Sequence, residues 1–142
     1  MENNFKNKIT KIKALFTDES TDKEKYELIL DLGRSLPPLK LEAKTNQNRV
    51  EGCQSTTYLT GQYIKGEMHF QAESDALISA GLAALLLKIY DQESPKTILQ
   101  NPPDFLKEVN LHNILSPLRA SSIGQMYQKM CFLAKDYLNK KT

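Results

Sequence analysis

The chain has 142 residues and a mass of 16.1 kDa, a length that predicts one domain with a single core over residues 1–142. Apolar residues make up 40% and charged residues 25%, with 6 Gly and 6 Pro, and this usage excludes a disordered, collagen-like or coiled-coil chain. The net charge of +2 gives no reason to expect nucleic acid as a partner. The charge is nonetheless uneven, since residues 1–16 and 129–142 each carry +3 and the middle therefore carries −4.

Cysteine usage and apolar runs bear on the location of the protein. Cys53 and Cys131 lie too far apart in the sequence for metal-ligand spacing, and so few thiols do not make a disulfide scaffold, which predicts a reducing, cytoplasmic location. The N-terminal residues lack the apolar stretch and cleavage site of a secretory signal. The longest apolar run, residues 76–90, is shorter than the ~20 residues that span a bilayer, so no membrane segment is predicted.

The first third of the chain predicts two helices and a loop. Apolar residues at spacings of three and four over residues 5–16 indicate an amphipathic helix with a basic face, which we expect to pack on its own domain rather than on a membrane surface. Thr21 and Glu24 form a capping-box pattern that begins a second helix. We expect Gly33 and the Pro37–Pro38 pair to end that helix, and the polar residues 39–49 to form a surface loop.

The middle of the chain predicts a small sheet and a buried helix. Residues 56–64 and 67–72, separated by a short Gly-containing turn, have the pattern of a β-hairpin. Residues 49–50 are expected to add a third short strand. Ser74 is then expected to cap a near-continuously apolar helix over residues 75–90, which predicts the most buried element of the domain.

The last third predicts connectors and a final helix. Ser94 before Pro95 is typical of a helix start, and the prolines at 102–103 suggest another short turn. Apolar residues repeat at three and four over residues 123–137, which predicts a helix that ends near residue 139. Segregated strands and helices favour an α+β fold in which a small antiparallel sheet packs against several helices.

Cys53 is the most informative residue for chemistry. It follows Gly52 between a polar loop and a strand, where an exposed turn would let a thiol be reached. Reactivity requires the thiolate, and Arg49 is the nearest cation in the sequence. Composition alone favours the alternative, a small buried cysteine at the foot of the strand.

The other thiol and the two histidines carry weaker signals. Cys131 lies beside the apolar stripe of the last helix and is expected to be a core residue, with a resolving partner for Cys53 as the alternative. His69 and His112 could each serve as the base of a Cys–His pair, or could have no catalytic role. Zinc spacings, a phosphate loop and a nucleophile elbow are missing from the sequence, which excludes most conventional enzyme classes.

Several stretches together carry a family resemblance. Residues 46–55, Asn-Gln-Asn-Arg-Val-Glu-Gly-Cys-Gln-Ser, followed by Tyr58, resemble the active-site stretch of the SufE-type cysteine desulfuration proteins. The same order of motifs continues on both sides, in residues 25–34, 36–37, 73–76, 81–82, 90–95 and 115–119. The resemblance covers roughly residues 5–138, and it implies a SufE/NifU-like α+β fold.

The resemblance also implies a function. Cys53 would accept sulfur from the persulfide of a partner, a SufS-like, PLP-dependent cysteine desulfurase, stimulate that enzyme, and pass the sulfur to a downstream iron-sulfur cluster scaffold. Such a chain is a transfer partner rather than a stand-alone enzyme, needs no metal or cofactor of its own, and is compatible with a homodimer. Arg119 and Asp75 match family positions near the desulfurase contact and the active-site loop, while Leu118 departs from the small polar residue common there. The plainer alternatives are a solvated Arg119 and an Asp75 that caps its helix.

Two other function classes compete with the carrier. A cluster scaffold of the NifU/IscU type is the runner-up, but it must hold iron with several cysteines, and counting two in this chain disfavours it. A Cys-dependent hydrolase or thiol peroxidase would need a positioned base or an activating arginine, for which the sequence supplies weak candidates.

Overall fold

The computed structural model describes residues 2–17 and 19–141, and it confirms the α+β class. The regular elements are α1 (Glu2–Leu15), α2 (Asp22–Arg34), β1 (Thr57–Ile64), β2 (Glu67–Ser74), α3 (Leu77–Tyr90), α4 (Pro95–Gln100) and α5 (Pro117–Lys141). Short 3-10 segments occupy Leu41–Ala43, Asn46–Asn48 and Pro103–Val109. Among the described residues, none of the helices combines the length and the apolar character that a membrane crossing requires.

The start of α2 follows the sequence pattern. The backbone N–H of Glu24 donates to Thr21 Oγ1 at 3.1 Å, and the N–H of Thr21 donates to Glu24 Oε1 at 2.9 Å. This capping box satisfies two of the N–H groups that a helix start leaves unpaired. The predicted helix start is therefore confirmed.

The helix α2 ends at Arg34, between Gly33 and the Pro37–Pro38 pair that were predicted to end it, and Gly33 has a packing role inside the helix. A Cβ atom on Gly33 would lie 2.5 Å from the carbonyl oxygen of Leu77, and one on Gly81 would lie closer still to the carbonyl oxygen of Ile29. Side chains at these two positions would therefore force α2 and α3 apart. The helix continues through Gly33 to Arg34, and the glycine serves the close helix contact instead of ending the helix.

The hairpin has the predicted form. β1 and β2 pair antiparallel, from Thr57 opposite Ser74 to Ile64 opposite Glu67. The expected third strand at residues 49–50 is a single bridge between Arg49 and Tyr58. A longer strand does not form because the chain turns away at the following residues.

The helix after the hairpin starts later than predicted, at Leu77 instead of residue 75. Ser74 does not cap it: its Oγ accepts a hydrogen bond from Thr57 Oγ1 at 2.9 Å, and the residue belongs to β2. The side chain of Asp75 accepts from the backbone N–H of Thr56. Both side chains therefore close the open end of the hairpin, and α3 begins after them. As predicted, α3 is the central element, with Leu82, Ala83, Leu85, Leu86, Ile89 and Tyr90 fully buried.

The terminal helices surround this core. The apolar face of α1 packs inward, with Phe5, Ile12 and Phe16 each no more than 4% exposed. Ser94 caps α4 as predicted, its Oγ accepting from the N–H of Thr97 at 3.1 Å. The last helix begins at residue 117, six residues before the apolar repeat that predicted it.

Candidate functional site

Cys53 lies in a loop, residues 49–56, whose two ends are tied to the hairpin. At the first end Val50 is buried, and its N–H donates to the Thr57 carbonyl at 2.8 Å. At the second end Asp75 Oδ1 accepts from the Thr56 N–H at 3.1 Å, and the Asp75 N–H donates to the Thr56 carbonyl at 3.1 Å. We call residues 49–56 the cysteine loop. The residues between the two anchors form one short turn.

Gly52 allows this turn. Its φ of +81° lies in the left-handed region that side chains disfavour. A Cβ atom at this position would also lie 2.9 Å from Cδ of Gln125 on α5. The glycine before the cysteine therefore meets a steric need of the loop.

The Cys53 thiol is half-buried and packs against the hydrophobic core. Burial raises the pKa of Cys53, and this effect outweighs the lowering by hydrogen bonds to Ser122 and Thr57 and by the positive charge of Arg119. The thiol is therefore protonated at neutral pH in this conformation. The charge of Arg119 favours the thiolate. The Ser122 and Thr57 hydroxyls donate to the Leu118 carbonyl and to Ser74 Oγ in this structure, so each must turn before it can donate to a thiolate.

Arg119 lies behind the cysteine loop near the start of α5. Its Nη1 donates to the hydroxyls of Ser55 and Ser79, two buried serines that lie 3.0 Å apart, oxygen to oxygen. The guanidinium thus joins the cysteine loop, α3 and α5. Its charge also acts on the sulfur of Cys53.

The structure brings the three predicted site residues to one loop. Asp75 is exposed and holds the end of the loop at Thr56, whereas Arg119 is half-buried beneath it and close enough to act on Cys53. Asp75 is therefore not a helix cap, and Arg119 is not fully solvated. These were the plainer alternatives for the two residues. Their contact with a partner stays a prediction.

Cys131 occupies a different place. It is half-buried in the middle of α5 and is a free thiol, as is Cys53. Burial raises its pKa, while a hydrogen bond with Tyr127 and the charge of Lys135 lower it. Nine residues separate it from Ser122 on the same helix, which corresponds to about 13 Å along the axis. A disulfide with Cys53 in this arrangement is therefore out of reach.

The nearest cation in the sequence and the two candidate bases do not contribute to the environment of the thiol. Arg49 is exposed, and the cation that acts on Cys53 is Arg119. His69 Nε2 lies 3.5 Å from Glu67 on the hairpin, and His112 is exposed in the connector before α5. Within the described ranges neither histidine is among the groups that act on the thiol, so the Cys–His pair is not formed.

The sequence reasoning missed Ser122 and Thr57, the two hydroxyl residues that lower the pKa of Cys53. Ser122 is three residues from Arg119 and therefore on the same helical face, a spacing that could have pointed to it. Over residues 2–17 and 19–141, His, Cys, Asp and Glu side chains do not gather in threes around a point that could hold a metal ion. The chemistry that the arrangement offers is that of a thiol with hydroxyl and guanidinium neighbours.

Comparisons with known proteins identify the family of the chain. Residues 10–134 match the SufE family model, described as an Fe-S metabolism associated domain. An uncharacterized SufE-like protein of Synechocystis sp. is 33% identical over 122 residues, which are 86% of this chain and 77% of that protein. SufE-like protein 1, chloroplastic/mitochondrial, of Arabidopsis thaliana is 34% identical over 124 residues. These residues are 87% of this chain but only 33% of that longer protein.

The fold has a relative among solved structures. The solution structure of a hypothetical protein from Thermus thermophilus matches with a TM-score of 0.77, covering 93% of this chain and 96% of that one at 20% identity. The family model places this α+β chain in a class of protein associated with Fe-S metabolism. Within that class, the chain belongs to the SufE family.

Proposed function

We propose that this protein is a sulfur acceptor and carrier whose reactive residue is Cys53. It takes persulfide sulfur from a partner cysteine desulfurase, stimulates that enzyme, and passes the sulfur to iron-sulfur cluster assembly. The observation that carries the proposal is the placement of a free loop thiol next to Ser122, Thr57 and Arg119 in a SufE-family chain.

The transfer is a thiol exchange. The Cys53 thiolate attacks the terminal sulfur of the partner's persulfide, a new S–S bond forms on Cys53, and the bond between the two sulfurs of the partner breaks. The partner's cysteine leaves as a thiolate and can take up the proton that Cys53 lost. Cys53 ends as a persulfide, and no external oxidant or reductant is consumed.

Burial explains why a partner would be needed. The resting thiol has a raised pKa because it is half-buried, so few molecules carry the thiolate at neutral pH. A partner that draws the cysteine loop outward would relieve this burial. The pKa of Cys53 would then fall toward that of an exposed cysteine, and more molecules would carry the thiolate at the moment of transfer.

Arg119 and Asp75 are proposed to contribute to the desulfurase contact from either side of the cysteine loop. Asp75 presents an exposed carboxylate at one end of the loop. Leu118, 60% exposed, lies beside Arg119 at the start of α5 and offers an apolar contact on the same surface. A salt-dependent association that Asp75→Asn weakens would agree with this arrangement.

Intact-mass measurement tests the proposal. After mixing with a cysteine desulfurase and cysteine, the chain should gain about 32 mass units, one sulfur atom, and lose it again on reduction. Cys53→Ser should abolish both the gain and the stimulation of the desulfurase. A Cys53→Ser variant that still gains sulfur and still stimulates would contradict the proposal.

Cys131→Ser is the matched control, because it removes the other half-buried thiol. This variant should gain sulfur as the unaltered protein does. A loss of transfer would instead indicate a relay through Cys131. Stoichiometric iron binding with visible absorbance would favour the cluster scaffold over the carrier.

A further inference from the structure

One face of α5 lies along the cysteine loop and the turn before it. Residues 119, 122, 125 and 129 follow one another at spacings of three and four, so their side chains share a face of the helix. The first two contact Ser55 and Cys53, as described above. The next two contact the part of the chain that leads into the cysteine.

Lys129 is bound to that leading part. Its Nζ donates to the carbonyl oxygen of Gln47 at 2.7 Å, and it lies 5.5 Å from the centre of the Phe132 ring. Gln47 belongs to the 3-10 turn Asn46–Asn48, directly before the cysteine loop. Phe132 is 61% exposed, and its ring orients the lysine by a cation–π contact.

Gln125 lies against the turn itself. The place that a side chain on Gly52 would occupy is 2.9 Å from Gln125 Cδ and 3.2 Å from its Oε1. The amide group therefore covers Gly52 on the side facing α5. Together the two residues hold the chain on both sides of the buried Val50.

We propose that Lys129 and Gln125 are positioning residues that hold residues 47–53 against α5 and so set how often the Cys53 thiol is available to react. When the Lys129–Gln47 hydrogen bond breaks, the turn can leave the helix and carry the cysteine into water. The consequence for sulfur transfer rests on the proposed function, whereas the effect on the thiol itself does not. Lys129 acts through the backbone of Gln47 and does not touch the sulfur.

The rate of alkylation by iodoacetamide, followed for both thiols by peptide mass mapping, tests this role. Trypsin places Cys53 in the peptide of residues 50–65 and Cys131 in a separate peptide that ends at residue 135. Lys129→Met should raise the rate at Cys53 by about two- to tenfold, the range expected for loss of one hydrogen bond. The rate at Cys131 should stay as it is.

Two variants test whether the effect depends on a donor at position 129 and not on the loss of any one lysine. Lys129→Arg keeps a donor and should return the Cys53 rate close to that of the unaltered protein. Lys88→Met removes a lysine that is exposed on α3 and should leave the rate unchanged. Equal rates in Lys129→Met and Lys88→Met would overturn the proposal, as would a Lys129→Arg variant that reacts like Lys129→Met.

Gln125→Ala gives an independent test with a pH readout. Because burial is the main cause of the raised pKa of Cys53, loosening the turn should move the pH midpoint of alkylation downward in Gln125→Ala. An unchanged midpoint together with an unchanged rate would contradict the role of Gln125. These assays contain no desulfurase, so failure of sulfur transfer would leave this inference standing, and constant alkylation rates would leave the proposed function standing.

Discussion

The two cysteines of this chain have similar surroundings in electrostatic terms. Both are free and half-buried. Burial raises the pKa of both, and a neighbouring hydroxyl residue lowers it in each case. The difference lies in the backbone that carries them. Cys53 follows a glycine with positive φ in a loop, whereas Cys131 lies inside the 25-residue helix α5.

Under the proposed function, the thiol that reacts is the one carried by a loop, although the pKa values of both thiols are shifted in the same direction. A loop held by a few polar contacts can open alone, whereas exposing a residue in the middle of a packed helix requires the helix to unfold locally. The neighbouring side chains also differ. Arg119 lies beside Cys53, whereas Tyr127 lies beside Cys131 and donates to the carbonyl of Ile98 at 2.6 Å.

Arg119→Met should have the largest effect on this contrast. Two buried serines lose an ionised donor, so the free energy of unfolding should fall by about 2 kcal/mol, and the melting temperature by about 4 to 8 °C. The pKa of Cys53 should rise because the positive charge is lost, and that of Cys131 should not change. Calorimetry and the pH profile of alkylation measure these quantities.

Arg34→Met is the control, since the exposed pair between Arg34 and Asp31 should contribute little. Equal melting temperatures of the two variants would contradict the structural role of Arg119. A fall in the pKa of Cys53 would show that the guanidinium acts mainly by holding the loop closed.

Tyr127→Phe should act on the other thiol. Loss of the hydroxyl leaves the Ile98 carbonyl without its donor, which should cost about 1 kcal/mol and lower the melting temperature by about 2 to 4 °C. The pKa of Cys131 should rise further, because the bond to Tyr127 lowers it. Tyr26→Phe, at an exposed tyrosine of α2, should change neither the melting temperature nor the pKa of Cys131. A change in the pKa of Cys53 in Tyr127→Phe would contradict the assignment of this hydroxyl to Cys131 alone.

Ser122→Ala should slow Cys53 alone. The buried Ser122 hydroxyl donates to the Leu118 carbonyl and also lowers the pKa of Cys53, so the alkylation rate at neutral pH should fall roughly threefold, the equivalent of a weak hydrogen bond. Ser121→Ala, at the exposed neighbour that bonds to the Leu118 carbonyl, is the matched control. Equal alkylation rates of Cys53 in the two variants would contradict a role of Ser122 in setting the reactivity of the thiol.

Alkaline pH should have the smallest effect, a loss of unfolding free energy to which both thiols contribute. Their raised pKa values mean that the folded chain holds these protons more tightly than the unfolded chain. The resulting stability is complete below the ordinary cysteine pKa and is lost as the pH rises through the raised values. Urea unfolding between about pH 8 and 10.5 should show this loss.

The loss should be smaller in Cys53→Ser and smaller still when Cys131 is also replaced. Tyr90, which is buried, and Tyr127, which is half-buried, also have pKa values raised by burial, and they add a slope of the same sign at higher pH. A pH dependence identical in the unaltered protein and the double variant would show that the cysteines contribute nothing.

Local patterns predicted most of the elements correctly. The capping box at Thr21, the proline after Ser94 and the alternation in the hairpin each depend on near neighbours in the chain, and each is found as expected. The structure departs from the local patterns where a distant element competes. Gly33 lies inside its helix because α3 packs against it, and Ser74 serves β2 instead of capping α3.

The sequence by itself determined the class of fold, the family resemblance and the choice of Cys53, because these depend on residue order and on a short motif. Only the tertiary structure decided what surrounds the sulfur. Arg119, Ser122 and Gln125 are more than 60 residues from Cys53 in the chain, and they reach the cysteine loop because α5 packs along it. Burial, which dominates the pKa of the thiol, is a property of that packing and is not encoded in any local pattern.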